Sequence, residues 1–149
     1  MLPAKKKAEE NEEALGRSRG GLSSKLHIAV DALGNPLRFF LTAGQDADIG
    51  QAMPLLIGYN PAAVVADKAY DSNDLVDYIV SIEAQVVIPP RRNRKEKREI
   101  DTNLYKDRNK IERFINKLKQ CRRIATRYEK KAINFLAFVY FAATRILLL

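Results

Sequence analysis

The sequence predicts an α/β fold, and three observations carry that expectation. Residues 25–44, KLHIAVDALGNPLRFFLTAG, hold two β-rich runs separated by turn residues. The short apolar runs in AAVVADKAYD (62–71) and QVVIPP (85–90) flank a helical pattern, the text of a strand-helix-strand crossover with buried strands. Two longer helical patterns, at about 104–120 and 130–148, close the chain.

In chain order, residues 1–24 come first as a charged, flexible lead-in, and residues 25–149 follow as the folded domain. The lead-in has a Lys triplet, a Glu-rich run and GRSRGGLSS, with no periodic apolar face to bury. Its glycines lack the G-x-x-x-x-G-K-[ST] spacing of a phosphate-binding loop, although Arg17 and Arg19 remain available to a polyanion. The hairpin begins at Lys25. It contains His27, the one histidine, which has no companion at metal-ligand or triad spacing and is read as structural. Asp48 with Gln51 three residues on resembles a capping box opening a short helix that ends near Gly58. A buried strand then ends at Asp67, a place where open α/β sheets carry chemistry. Residues 74–83 form a helix with Leu75, Ile79 and Ile82 on one side, and two prolines stop the next strand after Ile88. The run 133–149 is strongly apolar, but its 17 residues include Asn134, Thr144 and Arg145. It reads as a buried closing helix and not as a membrane span.

A chain of 149 residues, 46% apolar and 30% charged, is the size of one globular domain. Cys121 stands alone, so no internal disulfide is possible, and no apolar signal segment opens the chain; the expected location is cytoplasmic. The net charge of +8 is concentrated: residues 91–131 hold 17 Lys/Arg against 6 Asp/Glu. Such a field suits a polyanion, because phosphate neutralisation with counterion release drives nucleic-acid binding. A merely soluble basic surface explains the charge equally well. Within this window, RRNRKEKR (91–98) packs six cations around one Glu and is too polar to fold alone, which places Arg91, Arg92 and Arg94 among the candidate phosphate contacts.

The stretch YKDRNKIERFINKLK (105–119) adds a finer pattern. At about 100° per residue, Arg108, Glu112 and Lys119 fall within roughly 60° of Tyr105. Ile111, Phe114, Ile115 and Leu118 form a separate apolar stripe that would lie on a core. One reading is a solvated face with an Arg108–Glu112 pair. The other joins Glu112 to Asp67 as two carboxylates that hold divalent metal against phosphodiesters, since hard cations prefer carboxylate and phosphate oxygens. Asp71 is the rival for Asp67 in that role.

At this point the chain resembles bacterial insertion-sequence transposases of the DDE type. Tyr105, Arg108, Glu112 and Lys119 reproduce the Y-(2)-R-(3)-E-(6)-K signature of one large group, ADKAYD is similar to the segment carrying the second catalytic Asp, and GRSRGGLSSKLHIAVDALGNP, IPPRRNR and RRIATRYEKKAINFLAF are also similar to the group's text. The resemblance covers nearly everything from Ala14 onward. It implies an RNase H-like, retroviral-integrase-like mixed sheet with flanking helices. It implies DNA transposition: metal-dependent cleavage at element ends, then joining of a 3′-hydroxyl to target DNA. Asp67 and Glu112 would be catalytic and would bind Mg²⁺ or Mn²⁺; Arg108 and Lys119 would contact phosphates, and Tyr105 would sit near the cleaved end. The implied partners are element terminal inverted repeats, target DNA and a second transposase copy in a dimeric complex near the nucleoid, with no membrane.

The pattern departs from the group in one respect. The first catalytic Asp lies on the sheet's first strand, upstream of GRSRGG, and neither the Glu-rich run before Ala14 nor Asp31 in the hairpin turn replaces it. The expectation is an incomplete sheet whose first strand, with its Asp, comes from an upstream transposase segment. A decayed element or a second reading frame joined by frameshifting fits equally. The competing function is a non-catalytic DNA-binding remnant or regulator of an intact transposase. A ribosome-associated scaffold would explain the charge but not the ordered motifs.

Overall fold

Alternating apolar residues set the first sheet. In the computed structural model, which describes residues 13–18 and 21–149, Gly16–Ser18 (β1), Gly21–Val30 (β2) and Pro36–Ala43 (β3) form an antiparallel sheet in the order β1-β2-β3. Leu26 stands opposite Leu41 and Ile28 opposite Phe39, so these four share one face while His27 and Phe40 take the other. The turn closes on Asp31, whose Oδ1 accepts from the N–H of Leu33 (2.8 Å) and Asn35 (2.9 Å). Gly34 in this turn has φ of +90°, a conformation that a side chain resists. The strand expected from Lys25 starts at Gly21, because pairing with β1 uses backbone groups and needs no apolar face. Residues 1–12, Arg19 and Gly20 of the expected lead-in lie outside the described residues, as does the side chain of Arg17.

Ile49–Leu56 (α1) forms as expected, but the capping box does not. Asp48 itself has helical φ and ψ (−60°, −33°) and makes no side-chain cap; its Oδ1 lies 2.9 Å from Lys25 Nζ instead. At the far end Arg38 Nη1 donates to the carbonyls of Pro54 (2.6 Å) and Ile57 (2.8 Å), answering the open acceptors of a helix terminus. Ala63–Val65 (β4) and Gln85–Val87 (β5) pair in parallel through Asn73–Ser81 (α2), which Ser72 caps by accepting from Leu75 N–H at 3.2 Å. The crossover is the one the sequence predicts. No ladder joins the two sheets among the described residues.

The single helix expected over 104–120 is two: Thr102–Tyr105 (α3) and Arg108–Lys119 (α4). Between them Lys106 and Asp107 donate to Asn103 and Leu104, tighter i to i−3 bonds than an α-helix makes. Arg122–Ala125 (α5) leads to Ala132–Leu148 (α6).

Two apolar clusters follow. Phe114 and Leu118 of α4 and Phe135, Val139 and Ala143 of α6 pack on Phe39 and the Leu26, Ile28 and Leu41 face. Ala52, Val64, Leu75, Ile79, Ala84 and Ile88 form the second, with α1 touching both the first sheet and α2. The expected closing helix is buried along one stripe, through Phe135, Val139 and Ala143, while Ile133, Phe141 and Leu148 on its outer face are 73%, 72% and 81% exposed. A helix lying on a single layer has one side to bury. No helix among the described residues is long and apolar enough to cross a membrane.

Candidate active site

Asp67 stands just beyond the carboxyl end of β4, where the chain turns sharply. Its backbone is extended, and it caps the single 3-10 turn Lys68–Tyr70, with Oδ1 accepting from Ala69 N–H at 2.7 Å. Asp71 ends that same turn. The two rivals therefore sit at opposite ends of one turn, and their surroundings differ. Asp67 lines a concavity of about 390 Å³ with Lys68, Ala69, Pro89, Tyr105 and Arg108, leaving its second oxygen free of protein donors among the described residues. Asp71 is buried, and its carboxylate accepts from Arg94 Nε (3.0 and 2.9 Å), Arg98 Nη2 (2.5 Å) and Arg91 N–H (2.7 Å). Burial opposes its charge, but the bonds from Arg94, Arg98 and Arg91 outweigh that and hold its pKa down at about 2. A carboxylate so saturated has no lone pair left for a metal.

Tyr105 and Arg108 reach the same concavity from the α3–α4 junction, and Asp101 caps the start of α3 by accepting from Asn103 (2.8 Å) and Leu104 (3.0 Å). The Arg108 guanidinium lies 5.8 Å from the Tyr105 ring centroid and its Nη2 is 2.8 Å from Glu112 Oε1. Glu112 is thus one side chain away from the concavity that Asp67 lines. The i,i+4 pair expected from spacing is present, with both side chains substantially exposed, where such pairs contribute a few tenths of a kcal/mol. Lys119 is exposed at the end of α4, about 10 Å further along the axis.

The basic run behaves differently from a free solvated segment. Arg91 donates through Nη2 to Ala69 O (2.7 Å) and through Nε to Lys68 O (3.4 Å), Arg94 is held by Asp71, and Arg98 also donates to Ile88 O. Arg92 is exposed. Of the three arginines expected to face phosphate, two are thus tied to the Asp67 turn. Sequence reasoning missed Arg98 and the role of Asp71, because 23 and 27 residues separate Asp71 from Arg94 and Arg98 and no local pattern links them. His27, as expected, is structural: it is buried and its Nε2 lies 2.8 Å from Thr42 Oγ1.

The donor set fits a hard divalent cation only in part. Asp67 and Glu112 offer carboxylate oxygens of the right chemistry, yet no group of three or more His, Cys, Asp or Glu able to hold a metal occurs among the described residues.

No solved structure matches this chain significantly. Residues 3–147 match the family described as "Transposase DDE domain". Over 129 residues the chain is 43% identical to a protein of Brucella ovis described as "Putative transposase for insertion sequence element IS6501", covering 84% of this chain and 98% of that one. With nearly the whole length matched and the strand-end carboxylate, tyrosine and arginine of the motif gathered at one concavity, the chain belongs to the insertion-sequence transposases of the DDE family.

Proposed function

We propose that this chain is the C-terminal catalytic segment of a DDE transposase that cleaves DNA strands at element ends and transfers them to target DNA, on an RNase H-like sheet. The observation that carries the reading is the concavity shared by Asp67, Tyr105 and Arg108, with Glu112 attached to it through Arg108. Asp67 and Glu112 would hold Mg²⁺ or Mn²⁺ with a further carboxylate, the first Asp, which the described residues do not supply. When bound, such ions stabilise the attacking and leaving oxygens of an in-line phosphoryl displacement. Arg108 balances the Glu112 charge and offers its remaining donors to a phosphate, Tyr105 buttresses the guanidinium, and Lys119 meets the backbone further along. β2 and β4 belong to separate sheets, and in an RNase H-like sheet the first strand would lie between them and bring that Asp beside Asp67. On this reading cleavage requires that first Asp from another segment, and the active complex also includes the element ends and a second copy. The site of action is the bacterial cytoplasm, at the nucleoid.

The test is strand cleavage, with Mg²⁺, of a duplex carrying an element end with its terminal inverted repeat. The chain alone should not cleave; co-expressed with the upstream-encoded segment it should, and Asp67→Asn or Glu112→Gln should abolish cleavage while leaving DNA binding in place. Cleavage that survives either substitution overturns the assignment. A second reading, a DNA-binding regulator without catalysis, is favoured by the incomplete carboxylate set among the described residues. It predicts that the chain inhibits an intact transposase and never gains cleavage from the upstream segment.

A further inference from the structure

The six cations of residues 91–98 divide by what they touch. Arg91, Arg94 and Arg98 point back into the protein, onto Ala69 O, the Asp71 carboxylate and Ile88 O. Arg92, Lys95 and Lys97 are exposed, and none of them takes part in a hydrogen bond or ion pair among the described residues. The Asp71 side chain is fully buried, while those of Arg94 and Arg98 are 23% and 21% exposed, so the carboxylate is the fixed centre and the segment wraps over it. Because Asp67 and Asp71 bracket one 3-10 turn, whatever Asp71 holds is held in register with Asp67.

We propose that Asp71 is a positioning residue for DNA: it latches the 91–98 segment to the Asp67 turn so that Arg92, Lys95 and Lys97 face the phosphate backbone. This inference rests on the DNA-processing reading above and adds to it the division of the basic run into latch and phosphate-facing cations. Arg94 shares its Nε–H between both Asp71 oxygens, and Arg98 reaches Asp71 through Nη2 while its Nε and Nη2 also donate to Ile88 O; a planar guanidinium with several donors suits such a latch, since it fixes direction as well as charge. The Lys95 and Lys97 ammonium groups on flexible stems, with the exposed Arg92 guanidinium, suit non-specific phosphate binding.

The experiment measures affinity of the full chain for a short duplex of arbitrary sequence against salt, below the unfolding transition of every variant. Arg92→Gln/Lys95→Gln/Lys97→Gln should reduce the slope of log K against log salt by about 2.7, at about 0.9 for each phosphate that is no longer neutralised. Asp71→Asn makes the chain more positive, so bulk charge alone predicts tighter binding, whereas release of the latch predicts binding several-fold weaker at equal salt. Arg94→Lys/Arg98→Lys leaves the net charge unchanged and removes the guanidinium donors that hold Asp71 and Ile88 O; it should weaken binding likewise, and it carries the test if Asp71→Asn does not fold. An unchanged slope in the glutamine triple variant overturns the inference, as does undiminished binding in the lysine double variant. Absence of any salt-dependent DNA binding by the wild-type chain would instead remove the reading beneath it.

Discussion

Replacing Asp71 by Asn keeps the shape of the side chain and removes its charge, leaving two guanidinium groups without an anion. The Asp71 carboxyl titrates at about 2 in the folded chain against an ordinary 3.8. By linkage this difference is worth about 2 kcal/mol of stability at neutral pH. Breaking a fully buried pair costs about 3–5 kcal/mol, but Arg94 and Arg98 keep partial access to water, so the lower figure applies. For a chain of this length that lowers Tm by roughly 4–8 °C. The sign of the pH dependence follows from the depressed value. The folded state favours the ionised form, so the contribution is fully present above pH 3.8 and is lost as pH falls towards 2. The gap between wild type and Asp71→Asn, read by thermal or urea unfolding, should therefore shrink to about 1 kcal/mol at about pH 3. A gap that stays constant between about pH 7 and pH 3, or a change in Tm within about 1 °C at neutral pH, would refute the latch energetics.

Leu118→Ala, at a position 1% exposed beneath Phe114 and Val139, should cost about 2–5 kcal/mol in urea unfolding; a cost below about 1 kcal/mol would mean that α4 is not seated on the first sheet. Arg127 donates to the carbonyls of Glu13 (2.5 Å), Glu129 (2.7 Å) and Lys130 (2.7 Å) and lies over the Phe135 ring, so Arg127→Ala should destabilise by about 2 kcal/mol and raise amide exchange at residues 13–18 and 21–24. Unchanged exchange there would dissociate the N-terminal residues from this anchor. Burial pushes the His27 imidazole below its ordinary 6.5, against the opposing charge of Asp48, so folding disfavours the protonated ring. Wild-type stability should accordingly fall as pH drops below 6.5, and His27→Gln should flatten that part of the curve; identical curves would discount the histidine.

The hairpin, the crossover, α1, α2 and α4 were all legible because each is written in a short-range period. Alternation put Leu26, Ile28, Phe39 and Leu41 on one face, and helical spacing put Phe114 and Leu118 on one stripe. The Arg108–Glu112 pair was legible for the same reason, being four residues apart on a helix. Where a neighbour outside the local window decided, the reading failed: Asp48 turned from capping its helix to pairing with Lys25. The outer face of α6 stayed exposed because nothing among the described residues covers it.

By itself, then, the sequence determined the order of the hairpin, the crossover and the long closing helices, the family and the carboxylates worth watching, since each depends on residue type at fixed spacing. Only the tertiary structure decided between Asp67 and Asp71 as the carboxylate facing the concavity, and which arginines of the basic run are free. Four residues apart in the same polar turn, the two acids look alike until the chain folds back. A contact 20 to 27 residues away then leaves Asp67 open to the concavity and surrounds Asp71 with guanidinium. Charge in a sequence is a count; whether it faces solvent or another side chain depends on burial and long-range contact, and no periodicity encodes that.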